Sequence, residues 1–327
     1  MFTLKDIDTR TIFVLNCFDS ERRLKVHSGE LLFDEVLEDG KTRTLTKFPF
    51  QKILVLFVIG PISITTPLID KCRKFGVALV VVKANLRPVY IWANSAEANY
   101  LLRKKQFDLK PEDISIAKIL VKNKIQNQKR NLQKTRKKDT LTNSAIEYCN
   151  VSLGELMGIL DYNQLMGLEG RVSKNYFSAY FQSLDWTGRH PRIKDSQINV
   201  AFDIGYSILF NLIECFLRLF GFDVYVGVYH RLWFKRKSLV CDIVEPFRCI
   251  IDHTVLLGFN RGQFKKSDFE ESKGVFQLKR EKSMDYYRVF YEALLGYKSE
   301  MFVFVQKYYR CFMGRMSVKS YPEFEYK

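Results

Sequence analysis

The periodicity of the apolar residues changes near Trp92, and this change constrains the fold more than any other feature of the sequence. Before Trp92, short runs rich in Val, Ile, Leu, Phe and Thr are separated by Gly, Asp, Ser and Pro, as in β-strands. After it, most segments carry apolar residues three or four positions apart, the spacing of amphipathic helices. We therefore expect an α+β protein, with a small N-terminal β-rich domain over residues 1–90 and a larger, mostly α-helical domain over residues 91–327. The predicted strands are residues 11–17, 23–27, 52–57 and 77–82.

One short helix is predicted within the β-rich region. Thr66 suits the N-cap position, Pro67 suits the first helical turn, and Gly76 suits the residue that ends a helix. The linker to the helical region is predicted at about residues 84–95, which include one last strand. The N-terminal region is therefore expected to be a compact β-rich unit with one helix packed on it.

The chain carries a large excess of positive charge. Its 327 residues include 52 Lys and Arg against 36 Asp and Glu, which gives a formal net charge of +16. Such an excess favours a polyanionic partner, either nucleic acid or an anionic membrane surface. A membrane span is not expected, because the longest apolar run, residues 53–59, is far below the roughly 20 residues that cross a bilayer. The stretch 204–220 is interrupted by Glu214 and Arg218. No signal peptide is visible, so the expected compartment is the cytoplasm.

The segment 118–138 is strongly basic and contains no acidic residue. Several of its cations lie three or four positions apart, which on a helix gives a face suited to DNA phosphates. The alternative is an ordinary solvated helix surface, but the missing acidic neighbours favour contact with nucleic acid. The DNA-binding candidates in this segment are Lys122, Lys129, Arg130 and Lys134.

Glu169 stands where a helix would place a core residue. At helical spacing it shares one face with Leu165, Val172 and Tyr176. A buried carboxylate is costly unless it is paired, hydrogen-bonded, protonated or bound to a metal ion. The candidate partners lie downstream: His230, or the pair Asp242 and Glu245.

Asp242 and Glu245 are three residues apart, so a helix that begins near Ser238 would place both carboxylates on one face. Pro246 removes a backbone donor and would kink the helix beside them. Two carboxylates and one imidazole, from His230, suit Mg²⁺ or Mn²⁺ with open positions for water and phosphate oxygens. The alternative interpretation stays open: a hydrogen-bonded structural role for His230, and ion pairs of Asp242 and Glu245 with Arg248 or Arg231.

Four segments follow one another along the sequence: LMGLEG at 165–170, GRHPRIKDSQIN at 188–199 leading into IGYSILFN at 204–211, GVYH at 227–230, and SLVCDIVEPFR at 238–248. In this order they resemble the four ordered segments of the CRISPR-associated Cas1 family. The set is specific because all four occur in order, with 15 residues from His230 to Glu245. Residues 52–82 also resemble the β-rich domain of that family.

The resemblance implies a metal site. In that family the glutamate of the first segment, the histidine of the third and the second acid of the fourth bind the catalytic ion. The corresponding residues here are Glu169, His230 and Glu245, with Mg²⁺ or Mn²⁺ as the ion. Asp242, the first acid of the last segment, is implied as a supporting group or an occasional ligand. Further matched positions, implied in packing and DNA contact, are Arg189, Asn199, Tyr206 and Arg248.

The resemblance also implies an activity. It is that of a metal-dependent DNA integrase of CRISPR adaptation, which inserts prespacer DNA into the CRISPR array by 3′-OH transesterification. It makes residues 91–327 the catalytic domain and residues 1–90 the dimerisation domain. The implied partners are a second copy of the chain and the small Cas2 protein, which form a heterohexamer on prespacer and leader–repeat DNA. Two alternatives remain: a metal-dependent endonuclease acting on branched or single-stranded DNA, and a non-catalytic nucleic-acid-binding scaffold.

Overall fold

The computed structural model describes residues 4–18, 20–93, 99–136 and 138–327. The first three residues, residues 94 and 95 of the predicted linker, and Lys137 of the basic segment lie outside the described residues. A strand-rich N-terminal region is followed by a mainly helical region, which confirms the predicted α+β class.

Two sheets form the N-terminal region. In the first, β1, β5 and β6 run parallel in that spatial order and β7 joins β6 antiparallel; in the second, β2, β3 and β4 are antiparallel. The four predicted strands coincide with β1, β2, β5 and β6 to within two residues. The prediction misses β3 and β4, because charged residues interrupt their apolar pattern. The strands are β1 (Thr11–Asn16), β2 (Arg22–His27), β3 (Glu30–Val36), β4 (Thr42–Pro49), β5 (Ile53–Ile59), β6 (Ala78–Val82) and β7 (Pro88–Trp92).

Helix α1 (Leu4–Thr9) precedes β1, and helix α2 (Thr66–Phe75) connects β5 to β6. The predicted α2 is confirmed, but its N-cap is Thr65 rather than Thr66, since Thr65 is the extended residue before the first turn. Gly76 ends the helix with a φ of 66°, a left-handed conformation that glycine adopts without a steric penalty.

Both faces of the central strands are covered. On one face, Val55 and Phe57 belong to the same apolar cluster as the core of the helical region. On the other face, Leu56 and Val58 pack with Leu68 of α2 and with the second sheet. Parallel strands covered on both sides require nearly continuous apolar sequence, which is why β5 and β6 are apolar at every position.

The helical region holds one further pair of strands, which the sequence did not predict. This hairpin of β8 (Phe269–Ser272) and β9 (Val275–Leu278) is short and largely exposed. The helices are α3 (Tyr100–Phe107), α4 (Ser115–Lys134), α5 (Thr140–Glu155), α6 (Tyr162–Tyr180), α7 (Gln197–Leu219), α8 (Ser238–Val244), α9 (Arg248–Asn260), α10 (Ser283–Leu295) and α11 (Lys298–Gly314).

Helix α7 is the central helix of this region. Among the described residues it is the one helix long and apolar enough to cross a membrane by length and composition. Its most apolar window is 72% buried inside the protein, and a core helix passes the same test, so this is weak support for a span. The carboxylate of Glu214 is fully buried in α7 and pairs with Arg218 and Lys237.

Candidate active site

Glu169 lies on the inward face of α6, as its spacing predicts. The helix begins after Asp161, whose carboxylate accepts hydrogen bonds from two backbone amides of the first turn. Leu165, Val172 and Tyr176 are buried on the same side. The side chain of Glu169 keeps 20% of its surface exposed, so the carboxylate stands at the rim of the core.

The direct partners of Glu169 are Lys124 of α4 and Tyr229. One carboxylate oxygen receives a hydrogen bond from the Lys124 ammonium, and the other receives one of 3.1 Å from the Tyr229 hydroxyl. The sequence nominated the downstream histidine or acids as partners, and for direct contact that prediction is wrong. Glu245 is joined to Glu169 through Lys124, whose Nζ lies 2.8 Å from Glu245 Oε2.

Glu245 directly follows α8 and opens a short 3₁₀ turn, Glu245–Phe247, before α9 begins. The helix is therefore interrupted at Pro246, as predicted. Arg248 Nη2 lies 3.0 Å from Glu245 Oε1. Burial alone would raise the pKa of Glu245, but the nearby Arg248 and Lys124 outweigh it and lower that pKa to about 2. Glu245 is thus held as a carboxylate inside the protein.

Asp242 is fully buried and fixes the loop that carries His230. Its carboxylate accepts hydrogen bonds from the backbone amides of Val228 (2.6 Å), Tyr229 (3.1 Å) and His230 (2.8 Å). It also lies 2.7 Å from His230 Nδ1. A Cβ atom at Gly227 would come within 2.5 Å of an Asp242 oxygen, so only glycine permits this approach. Both oxygens of Asp242 are committed, and Nε2 is the imidazole nitrogen left for a ligand.

The side chains of Glu169, Glu245 and His230 are of the kinds that bind a divalent ion, but they are not arranged around a free position for one. Across residues 4–18, 20–93, 99–136 and 138–327, no group of three His, Cys, Asp or Glu side chains is arranged to hold a metal ion. Lys124 stands between the two glutamates instead. Glu245 Oε2 is buried and receives no hydrogen bond of good geometry, despite its short distance to the ammonium. Two carboxylates and an imidazole fit Mg²⁺ or Mn²⁺ in kind.

Polar side chains of α7 and of the loop before it lie beside Arg248, the partner of Glu245. Arg189 pairs with Asp203 at 2.6 Å and donates to Asn199 at 3.2 Å. Its guanidinium lies 5.5 Å from the centre of the Tyr206 ring, and that of Arg248 lies 4.7 Å from the same ring. Arg189 is thus engaged within the protein, with 11% of its side chain exposed. Its contact with DNA stays a prediction, as does that of Arg248.

The basic helix α4 has acidic partners that lie far away in the sequence. Lys122 pairs with Glu323 at 2.7 Å, and Arg130 pairs with Glu325 at 2.9 Å. The inference that this helix lacks acidic neighbours is therefore wrong in three dimensions. Two further contacts are those of Lys129 with Asn150 Oδ1, at 3.1 Å, and of Lys134 with the Tyr326 ring, at 4.1 Å.

Two asparagines of α4 hold the segment 321–327 against the helix. Asn123 exchanges two hydrogen bonds of 2.8 Å with the backbone of Phe324. Asn127 donates to the Phe324 carbonyl and accepts from the Tyr326 amide, each at 3.0 Å. These amides pair with backbone as a neighbouring strand would, so the segment is part of the folded core.

The loop after His230 exposes three large apolar side chains in succession. Leu232, Trp233 and Phe234 are 65%, 76% and 80% exposed. The loop is anchored at its start by Asp242 and at its end by Lys237, which pairs with a buried glutamate. The cations of the same loop are Arg231, Lys235 and Arg236. Exposed aromatic rings beside cations are typical of surfaces that stack nucleobases.

Sequence reasoning missed Lys124 and Tyr229. Lys124 belongs to the basic segment and was grouped with its surface cations. One signal is present: Lys124 lies four positions after Leu120 and three after Val121, both buried, and therefore falls on the apolar face of α4. Tyr229 carries no comparable signal, because its role follows from the loop conformation.

The fold and the site together define a class. The chain is an α+β protein with a strand-rich N-terminal region and a helical region, in which Lys124 of the basic helix α4 lies between Glu169 and Glu245, and Asp242 holds the imidazole of His230. Residues 15–292 match the family described as "CRISPR associated protein Cas1". The chain therefore belongs to the Cas1 family.

Curated relatives support this assignment. A protein named CRISPR-associated endonuclease Cas1 1 from Thermodesulfovibrio yellowstonii is 29% identical over 245 residues, covering 71% of this chain and 77% of the relative. One with the same name from Chlorobaculum tepidum is 25% identical over 245 residues, covering 70% and 71%. The similarity thus extends over most of both chains.

Solved structures share the fold. A Cas1 protein from Thermotoga maritima gives a TM-score of 0.74 at 18% identity, covering 92% of this chain and 97% of its own. A casposase bound to integration product gives 0.76 at 19% identity, covering 96% and 94%. A chain of a Cas6-RT-Cas1–Cas2 complex gives 0.76 at 19% identity, and this chain covers 36% of that longer one. At such identities the likeness establishes the fold.

Proposed function

We propose that this chain is a metal-dependent DNA integrase of CRISPR adaptation, which joins the 3′-OH of a prespacer strand to the CRISPR array. The observation that carries the proposal is the convergence of Glu169 and Glu245 on a single cation, beside an imidazole that Asp242 holds in one orientation. Family membership supplies the DNA context.

Each residue has a distinct role in the proposed reaction. Asp242 accepts a hydrogen bond from the Nδ1–H of His230, which leaves the lone pair on Nε2 for the ion. Tyr229 orients Glu169 through its hydroxyl, and Arg248 keeps Glu245 ionised. Mg²⁺ or Mn²⁺, held by Glu169, His230 and Glu245, would act as a Lewis acid on the scissile phosphate and lower the pKa of the attacking hydroxyl.

The nucleophile is the 3′-hydroxyl of DNA, so the protein needs no nucleophilic side chain of its own. One phosphodiester forms as another breaks, which requires no nucleotide triphosphate. The protein contributes orientation: the ends of the strands must lie in line at a site fixed by α4, α6 and the turn at Glu245. The excess positive charge of the chain supports a role in holding the DNA backbone.

The proposal includes partners. Solved structures with this fold include a Cas1–Cas2 complex and a casposase with its DNA product. We infer that this chain acts as a homodimer with Cas2, in a heterohexamer on prespacer and leader–repeat DNA. The proposed compartment is the cytoplasm.

Hydrolysis of DNA is the second candidate. The curated relatives are named endonucleases, and water in place of the 3′-hydroxyl would turn the same site into a nuclease. A non-catalytic scaffold is the third candidate, since Lys124 and Arg248 together already balance the charges of the two glutamates. The three candidates differ in their products.

The test is a strand-transfer assay on branched DNA that mimics a half-integrated intermediate, with and without Mn²⁺. We expect rejoined strands for the wild type with Mn²⁺ and none for His230→Ala, because that variant lacks the Nε2 ligand. His27→Ala, the same change at an exposed position of β2, should keep the wild-type rate. DNA binding, followed by fluorescence anisotropy, should be equal in all three proteins.

Shortened strands without joined product would assign the nuclease. Wild-type activity in His230→Ala would remove the histidine from the mechanism. No reaction by any protein, with DNA binding intact, would favour the scaffold.

A further inference from the structure

One buried ammonium group occupies the centre of the site. Lys124 reaches from α4 between Glu169 of α6 and Glu245 of the α8–α9 turn, with 9% of its side chain exposed. It contacts one oxygen of each carboxylate. The remaining oxygens are bound elsewhere, by the Tyr229 hydroxyl and the Arg248 guanidinium. Lys124 is thus the cation that the two glutamates share.

Ordinary salt-bridge stabilisation does not explain this arrangement well. Removing an ammonium and two carboxylates from water is costly, and apolar residues of similar size would often stabilise a core equally well. The contact also lacks good geometry on one side, since Glu245 Oε2 receives no proper hydrogen bond. These two carboxylates are the ones proposed above to bind a divalent ion.

We propose that Lys124 is an internal counter-ion that holds Glu169 and Glu245 together until the divalent ion arrives, and that metal binding displaces its ammonium from between them. This inference rests on the proposed metal-dependent function. A metal–oxygen distance of about 2.1 Å is shorter than an ammonium contact, so both groups cannot fill the same space between the carboxylates. The flexible four-carbon stem of lysine allows its head group to move while α4 stays in place.

The exchange has a measurable consequence in metal affinity. In the wild type, part of the binding free energy of Mn²⁺ is spent on displacing the ammonium. Lys124→Met removes the competitor and keeps the apolar stem, so we expect Mn²⁺ to bind about tenfold or more tightly by titration calorimetry. Lys129→Met, the same change on the outer side of α4, should bind Mn²⁺ like the wild type.

Thermal unfolding gives a second measure. Without metal, Lys124→Met leaves two carboxylates close together with no shared cation, so its Tm should fall below that of the wild type. Saturating Mn²⁺ should raise its Tm by more than it raises that of the wild type or of Lys129→Met. If Lys124→Met fails to fold without metal, Lys124→Gln, which keeps a hydrogen-bond donor, takes its place.

A labelling experiment tests the inference in the unmodified chain. Reductive methylation followed by mass spectrometry should leave Lys124 protected without metal and modify it faster once Mn²⁺ is bound. The exposed Lys307 of α11 should react equally in both states.

The outcomes separate the two proposals. If Mn²⁺ binds the wild type and Lys124→Met equally, and Lys124 stays protected, the counter-ion role is overturned while the metal-dependent function stands. Weaker binding by Lys124→Met also overturns it, since lysine would then support the ion. If neither protein binds Mn²⁺, the proposed metal-dependent function is wrong, and the counter-ion role of Lys124, which depends on it, is wrong as well.

Discussion

At the residue scale, the three acids of the site have three different environments. Glu169 stands at the rim with part of its surface exposed, and Glu245 is buried between two cations. Within the part of the chain that the structure describes, Asp242 makes no ion pair with lysine or arginine, and its carboxylate oxygens are occupied by hydrogen bonds with three backbone amides and with His230. Glu169 and Glu245 are therefore the carboxylates placed to accept an ion, whereas Asp242 orients His230.

Asp252 of α9 is a buried acid close enough to the site for the charges of Arg248 and Lys124 to act on it. Burial raises its pKa to about 6, although hydrogen bonds from Tyr206 and Tyr176 act in the opposite direction. The ordinary value is 3.8, so between pH 3.8 and about 6 the folded chain keeps a proton that the unfolded chain releases. The free energy of unfolding therefore falls as pH rises through this window.

We predict a pH-dependent difference between the wild type and Asp252→Asn. From pH 4.5 to pH 7 the wild type should lose roughly 2 kcal/mol of stability relative to the variant, because only the wild type ionises there. Below about pH 4.5 the unfolded chain takes up a proton at Glu245 that the folded chain, with a pKa of about 2 there, does not, so the wild type and Asp252→Asn both lose stability in parallel through this group. Urea unfolding across this range measures the difference, and Asp223→Asn in a half-buried loop serves as control. Parallel pH curves for the wild type and Asp252→Asn would contradict the prediction.

The residues of the site were only partly predictable from sequence. Glu169 and Glu245 are conspicuous because a carboxylate interrupts an apolar pattern or adjoins a proline. Lys124 is not, because lysines on helices are usually exposed and its partner lies 45 positions away. This ammonium is buried because α4 packs against α6. The residues next to Lys124 in the sequence do not indicate that packing.

At the element scale, the loop of residues 231–237 is the most exposed apolar feature beside the site. Its anchored ends hold Trp233 and Phe234 in solvent a few residues from His230. Stacking of one unpaired base on an aromatic ring contributes about 1–3 kcal/mol, largely independent of sequence. The loop is thus suited to a single strand that approaches the site.

We predict that Trp233→Ala combined with Phe234→Ala weakens binding of duplex DNA with a single-stranded 3′ extension by roughly 10-fold or more. Binding of blunt duplex should stay within about twofold, because phosphate contacts remain. Fluorescence anisotropy with both DNAs measures the two constants. Leu232→Ala, an apolar change in the same loop that removes no ring, is the matched control. Equal losses for both DNAs would show that the rings do not discriminate single strands.

The elements of the fold differ in how far sequence predicts them. Buried strands such as β5 are uniform apolar runs, and α2 is delimited by a proline and a glycine, so both were predicted. β4 is exposed along most of its length and carries alternating Thr, Arg and Lys, so no apolar pattern marks it. It is a strand because β3 offers it a hydrogen-bonding edge.

At the scale of the whole molecule, the positive charge is not freely available along α4. Glu323 and Glu325 neutralise part of the helix from some 200 positions away in the sequence. Sequence composition predicts a polyanionic partner, but the basic face it identified is shared with the protein's own acids. DNA bound there must compete with these ion pairs.

We predict that affinity for duplex DNA falls by about 100-fold or more when salt rises from about 50 to 200 mM, as expected for several phosphate contacts. Lys122→Gln should reduce the slope of log affinity against log salt by about one if this side chain binds a phosphate. Lys307→Gln on α11 controls for the loss of one charge. An affinity that barely changes with salt would rule out a binding mode dominated by the DNA backbone.

Asn127 of α4 makes hydrogen bonds to two parts of the protein that are far apart in the sequence. Its side-chain amide donates to the carbonyl of Pro246, next to Glu245, and also holds the backbone of Phe324 and Tyr326. A partner that lifted residues 324–326 from α4 would free this amide and alter the support of the turn beside Glu245. The segment 321–327 and the turn beside Glu245 thus depend on the same side chain, so a ligand that displaces one removes a hydrogen-bonding partner from the support of the other.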